Sequence, residues 1–386
     1  MNFVFLSPHF PPNFYLFCRN LRDMGVNVLG VADVPYDTLK PEQRAALTEY
    51  YRVEDLSDYE QVYRACGYFI HSYGRIDRIE SLNDWWQETE ARLRSDYNVT
   101  GIQLPDLPKL TRKSEMKMGF LAAGVTVPRG AVAETPEKAL EFGREVGYPL
   151  VMKPDRGVGA ADTRRVESEA ELRELLGAGE GVRCILEEFV TGELVSFDGL
   201  TNRDGDIVFF TSHVFSQGIM ETVNEDLDLF YYSEREIPPD LEEAGRAAVA
   251  AFDIREKFFH IEFFRRPDGT LVGLEVNARP PGGLTTDMFN YANNIDIFQE
   301  YARVVVENRF GANFNRPYHC GYVGRKINKS YQRSHREIME KFGYMIVHRG
   351  PIDSAFAKAI GNFAYIANAQ DVDELREMAR FVHEPA

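Results

Sequence analysis

Cysteine is scarce in this chain. Cys18, Cys66, Cys184 and Cys320 are the four in 386 residues, and none falls in a CxxC or Cys/His cluster. That spacing suggests neither a zinc site nor a disulfide framework. No stretch approaches the ~20 apolar residues of a membrane span. The opening MNFVFLSPHFPPNF has no basic start and too short an apolar run for a signal peptide. The turn after its first apolar run, Ser7-Pro8-His9-Phe10-Pro11-Pro12, holds no glycine, which excludes a dinucleotide fingerprint there. No GK[ST] phosphate loop occurs anywhere. Bases are in deficit: 44 Lys and Arg against 60 Asp and Glu, a net charge of −16. Such a balance argues against a nucleic-acid partner and against an anionic membrane surface. The expectation is a soluble cytoplasmic protein with an acidic surface, in which a local basic site for an anionic ligand stays open.

What is present is ordinary for a globular chain: 44% hydrophobic, 12% aromatic and 27% charged residues. The length predicts two or three domains. Residues 1–108 read as an α/β unit, with strands at Phe3–Leu6 and Val26–Val31 and helices at Tyr15–Met24, Asp58–Ser72 and Asp84–Tyr97, the last capped by Asn83. Leu104-Pro105-Asp106-Leu107-Pro108 marks a boundary. Helices then fall at Arg112–Ala123 and after Thr135, strands at Leu150–Lys153 and Arg183–Glu187. Beyond Leu194 the pattern turns to hairpins, Leu194–Thr201 with Asp206–Phe215 and Phe259–Arg266 with Thr270–Asn277. A helix is expected at Ile295–Glu307, capped by Asn294, and mixed α/β structure after it.

The second hairpin carries the chemistry. Asp268-Gly269 between two apolar runs predicts a two-residue turn. In that register Glu262 faces Glu275 and His260 faces Asn277, all on one face, while Ile261, Phe263, Leu274 and Val276 face a core. Two carboxylates directly opposite repel each other. A cation between them removes the penalty, and oxygen ligands from Glu262, Glu275 and Asn277 suit Mg²⁺ or Mn²⁺ rather than zinc. A solvated polar face is the plainer alternative for the hairpin taken alone. Arg279, two residues past Asn277, points the same way, where a guanidinium neutralises a transferred phosphoryl group.

Glu262 followed by Glu275-Val276-Asn277-Ala278-Arg279 resembles the metal motif of the ATP-grasp superfamily. The resemblance covers about residues 1–310. It implies an ATP-grasp fold: a Rossmann-like α/β domain at 1–108, a lid at 109–189, a metal and nucleotide subdomain at 190–310 and a C-terminal α/β segment at 311–386. It implies ATP and two Mg²⁺ ions as cofactors, with Asn277 and Arg279 at the reacting phosphate. It also implies that Lys113 and Lys153 hold phosphates and that Gly157, Gly159 and Ala160 form a loop closing over them. A surface turn is the alternative for that loop. Ile185–Gly192 is similar to the adenine hinge, with the Glu187 side chain on the amino group and the Glu188 carbonyl and Val190 N–H at the ring edge; Phe189 between them is a nucleotide-site candidate or equally plain core. Here the chain departs from the pattern. The usual ribose carboxylate position is Leu194, leaving Glu193 as the candidate. No lysine lies between Lys153 and Lys257, leaving His213 as the γ-phosphate candidate or simply a structural histidine.

The activity implied is ATP-dependent ligation of a small carboxylate, such as an amino acid, to an amine through an acyl phosphate. Arg325 and Arg349 are candidate clamps for the substrate carboxylate, with a purely structural role as the alternative. Homodimerisation is compatible with this reading. Two competing readings remain, a carboxylating or carbamoylating enzyme of the same superfamily and an ATP-binding regulatory protein without catalysis. No biotin-carrier segment or glutaminase domain is visible, and the intact Glu262, Glu275, Asn277 and Arg279 set argues against the silent alternative.

Overall fold

The computed structural model describes residues 1–157, 163–177 and 184–386, with the backbone alone for Ile219 and Glu221. Three sheets organise it, as expected of an α/β chain. Strands β1 (Asn2–Leu6), β2 (Asn27–Ala32), β3 (Glu49–Arg52) and β4 (Arg78–Glu80) pair in parallel in the order β3-β2-β1-β4. β1 is buried along its whole length, as an apolar run covered on both faces must be. The helix Tyr59–Tyr73 starts on the Asp58 side chain, which accepts from the Glu60 N–H.

The second sheet holds β5 (Gly130–Val132), β6 (Leu150–Pro154), β7 (Arg164–Val166) and β8 (Cys184–Glu188) in the antiparallel order β5-β8-β6-β7. The expected loop residues Gly159 and Ala160 lie outside the described residues, as does Arg183. Leu104–Pro108, read as a boundary, has regular structure of its own. It forms a single 3₁₀ turn running into the short helix Pro108–Thr111. Proline suits the first turn of a helix, where its missing N–H is not needed.

The third sheet is the largest: β9 (Glu193–Thr201), β10 (Ile207–Phe215), β11 (Phe230–Ser233), β12 (Phe258–Arg265), β13 (Leu271–Asn277), β14 (His319–Arg325), β15 (Ile346–Pro351) and β16 (Phe363–Ala369), in the order β13-β12-β9-β10-β11-β14-β16-β15. The strands after residue 310 therefore extend the same sheet as the β12–β13 hairpin. Asn294 does not open the helix Ile297–Glu307. It closes the preceding helix, Thr285–Asn293, in the left-handed conformation that asparagine tolerates, and Asp296 caps the next one through the Phe298 and Gln299 N–H groups. Among the described residues no helix is long and apolar enough to cross a membrane.

Candidate active site

The hairpin β12–β13 places Glu262 opposite Glu275 and His260 opposite Asn277. The turn that does so differs from the one expected. Gly269 N–H donates to the Arg266 carbonyl and Arg266 N–H to the Thr270 carbonyl, so the loop is three residues, Pro267-Asp268-Gly269. Proline's fixed φ fits the first central position of a type I turn, and Gly269 takes the left-handed position that follows, at φ +88°. This shifts the register by one residue. A β-bulge between Glu262 and Phe263, with Glu262 paired to Glu275 but Phe263 to Gly273, shifts it back. Leu274 is the extra residue. In place of the core face expected for it, it lines the cavity with Phe264.

That cavity, of about 310 Å³, lies between the second and third sheets. It brings together Lys113, Lys153, Glu187, Glu188, Phe189, Val190, His213, Glu262, Glu275, Asn277 and Arg279. Lys113 opens the helix Lys113–Ala122, whose start is fixed from outside by Asp155. The Asp155 carbonyl accepts from Lys113 N–H at 2.8 Å and its carboxylate from Ser114 N–H at 2.9 Å. The Lys113 ammonium reaches the Gly157 carbonyl at 3.2 Å and Glu275 Oε1 at 3.3 Å, so it bridges roof and floor. Lys153 Nζ lies 2.6 Å from Glu187 Oε2, and Lys117 Nζ, which the sequence did not single out, 2.6 Å from Oε1. Burial would raise the Glu187 carboxyl, but the two ammonium groups outweigh it and hold it below the usual range. Each Glu187 oxygen keeps a lone pair for another donor. Phe189 has Arg165 over its ring at 4.3 Å and faces the cavity rather than a core.

On the floor, the buried Asp198 accepts from Ser196 at 2.6 Å, His213 Nδ1 at 2.7 Å and His260 Nδ1 at 2.5 Å. Burial opposes its charge, yet the two histidines draw its carboxyl well below the usual range. Burial also disfavours the His260 cation, but Asp198 and the bond to Glu262 overcome this and raise it to about 10. Arg279 is held from the N-terminal unit, its Nε donating to Asp84 Oδ2 at 2.5 Å. Asp84, Lys117, Asp155 and Asp198 could not be found from spacing, because each meets its partner only through the fold.

Three expected residues lie elsewhere. Glu193 is exposed and lines a different cavity, while Leu194 turns inward, as alternation along β9 requires. Arg325 donates to the Val382 and Arg333 carbonyls and stacks on Tyr331 at 4.4 Å, which is a structural role. Arg349 is exposed on β15, outside the cavity.

The oxygens fit a hard divalent cation. Among the described residues no group of three His, Cys, Asp or Glu could by itself hold a metal ion. Two facing carboxylates and an amide instead form a partial oxygen set of the kind that phosphate oxygens complete around Mg²⁺.

Residues 146–287 match the ATP-grasp domain family. An L-arginine-specific L-amino acid ligase of Bacillus subtilis is 23% identical over 271 residues, which is 66% of this chain and 64% of that protein. An L-amino acid ligase of Bacillus licheniformis superposes with TM-score 0.77 at 16% identity, covering 99% of this chain and 96% of that one. A Hydrogenobacter thermophilus biotin carboxylase domain, solved with MgADP and bicarbonate, superposes with TM-score 0.69 at 16% identity, covering 100% of this chain and 90% of the other. The facing glutamates lie inside the matched segment, so residues 146–287 are an ATP-grasp domain, and the chain as a whole shares the fold of these solved structures.

Proposed function

We propose that the chain is an ATP-dependent carboxylate–amine ligase that forms an amide through an acyl phosphate. The observation that carries this is the pairing of Glu262 with Glu275 on the cavity floor, Asn277 beside them and Arg279 behind. Residues 109–189 are read as a lid carrying Lys113 and Lys153 toward the phosphates. Residues 190–310 are the floor, flanked by 1–108 and 311–386. The purine lies along Glu188–Val190, with the Glu187 oxygens turned to its amino group. Glu262, Glu275 and Asn277 would hold Mg²⁺, two ions in this reading, or Mn²⁺ through the same oxygens. Bound metal supplies positive charge against the phosphates.

A substrate carboxylate oxygen attacks the γ-phosphorus, and the bond to the β-phosphate oxygen breaks toward ADP. The amine nitrogen then attacks the acyl carbon, inorganic phosphate leaves, and the nitrogen loses a proton. The side chains position the reactants and stabilise charge, and none of them acts as a nucleophile. Lid closure protects the acyl phosphate from water. Consumption of ATP makes the cytoplasm the proposed compartment. The test is ADP release with ATP, Mg²⁺ and pairs of amino acids, with mass spectrometry of the product. An amide that needs both a carboxylate and an amine is expected. ADP release that depends on bicarbonate and ignores every amine overturns the proposal.

A further inference from the structure

The floor of the cavity is ruled into rows by the sheet register. One row is polar: Glu275 pairs with Glu262, Glu262 with Ser196, and Ser196 with His213. The next is apolar: Phe264 pairs with Leu194, Phe215 lies one step beyond the Val195–Val214 pair, and Phe215 pairs with Tyr231. Four strand spacings of about 4.8 Å put β11 about 19 Å from β13, farther than one purine reaches. The end over β12 and β13 is the hinge end, because Glu188 there meets Arg266 of the hairpin turn at 3.4 Å. The other end of the same cavity, over β10 and β11, forms an apolar chamber.

Its floor is a stack of rings, with Phe215 5.0 Å from Tyr231 and Tyr231 5.0 Å from Tyr322. The Tyr231 hydroxyl is already bonded to Thr285 at 2.9 Å. Met220, Phe356 and Ile360 complete the lining. Phe356 is braced by Phe10 of the N-terminal unit, stacked at 5.4 Å. Ile360 packs on the bare backbone of Gly283, where a Cβ would come within 2.7 Å of its Cδ1. The lysines and glutamates described around the cavity belong to the nucleotide and metal half, with Arg279 at the boundary; His213, 5.9 Å from Tyr231, is the one titratable group described beside the rings, and its Nδ1 is taken by Asp198. A charged side chain pushed into the chamber would lose water and find no partner.

We propose that the acyl donor is a carboxylate with an uncharged, apolar side chain. Its carboxylate sits at Arg279 and its side chain among Phe215, Met220, Tyr231, Phe356 and Ile360. This rests on the ligase reading and adds the substrate class. The experiment measures ADP release at fixed amine with leucine, methionine, phenylalanine, alanine, aspartate and lysine as acyl donors, in wild type and Ile360→Phe. Leucine, methionine and phenylalanine should exceed aspartate and lysine in kcat/KM by at least about tenfold. Ile360→Phe should lower kcat/KM for phenylalanine more than for alanine. If that variant does not fold, Met220→Phe narrows the chamber from the helix Ile219–Asn224 instead. Aspartate or lysine used as well as leucine, or an unmoved phenylalanine-to-alanine ratio, overturns the proposal and leaves the ligase reading intact. Calorimetric binding of the same acids to the protein with ADP and Mg²⁺ separates the reverse case. Preferential binding of leucine without turnover supports the chamber while the ligase reading falls.

Discussion

Glu275 has two neighbours that matter, the Glu262 carboxylate across the hairpin and the Lys113 ammonium at 3.3 Å. Glu275→Gln keeps the shape and removes one of the two carboxylates proposed to hold the metal. Turnover should fall by at least about 100-fold, while ADP measured without metal binds within about threefold of wild type. Turnover close to wild type would dismiss the metal assignment. Asp84→Ala should act through Arg279, whose Nε it holds at 2.5 Å. A misplaced guanidinium lowers kcat by about 10- to 100-fold and leaves the KM for ATP nearly unmoved. A raised KM with normal kcat would mean that Asp84 serves nucleotide binding instead. Glu262, Glu275, Asn277 and Arg279 were legible because they lie on one hairpin and its exit, where strand alternation fixes their directions. Asp84 was not, because 195 positions separate it from Arg279.

The hairpin itself was read correctly for an incomplete reason. A turn one residue longer than expected and a bulge at Leu274 offset each other, so the glutamate pairing survived while Leu274 changed faces. Both deviations had signals. Pro267 cannot donate to a ladder and suits a turn. Gly273 is an isolated strand glycine, and a Cβ there would meet Phe120 at 2.6 Å. That close approach lets Gly273 N–H reach the Thr126 carbonyl at 2.8 Å, which ties the hairpin edge to the segment after the Lys113 helix. If the bulge governs the pairing, the turn can be weakened without touching catalysis. Gly269 has φ +88° and no atom within 4 Å of an added Cβ. Gly269→Ala should therefore cost about 1–2 kcal/mol through backbone strain alone, read as a lower denaturant midpoint, with kcat unchanged. A parallel loss of kcat would mean that the turn, not the bulge, holds the two carboxylates opposite each other.

At the scale of the molecule, the parallel sheet is fastened to the hairpin strand by buried charge. Glu80 on β4 is paired with Lys257, just ahead of β12, and with Arg94 at 3.0 Å. Glu90 adds a second carboxylate to Arg94 at 2.7 Å, and Arg78 meets Glu256 at 2.6 Å beside them. Burial alone would raise the Glu80 carboxyl, but Arg94 and Lys257 bring it below its ordinary 4.5. A carboxyl depressed in the folded state stabilises fully above its unfolded value, and that contribution is lost as pH falls through the folded one. The joint should hold at neutral pH and weaken as pH drops beneath 4.5. Glu80→Gln leaves Lys257 and Arg94 short of a buried partner, at a cost of about 3–5 kcal/mol. It should also flatten the acid dependence of unfolding, since the titrating group is gone. Of the two tryptophans, Trp85 is exposed and Trp86 packs on the core of the parallel-sheet unit, so the Trp86 fluorescence follows unfolding of that unit. The measurement is urea unfolding followed by that signal at neutral pH and in steps below 4.5, for wild type and Glu80→Gln. Identical acid slopes in the two proteins would show that Glu80 does not carry the pH dependence of the joint on which Asp84, and through it Arg279, depends.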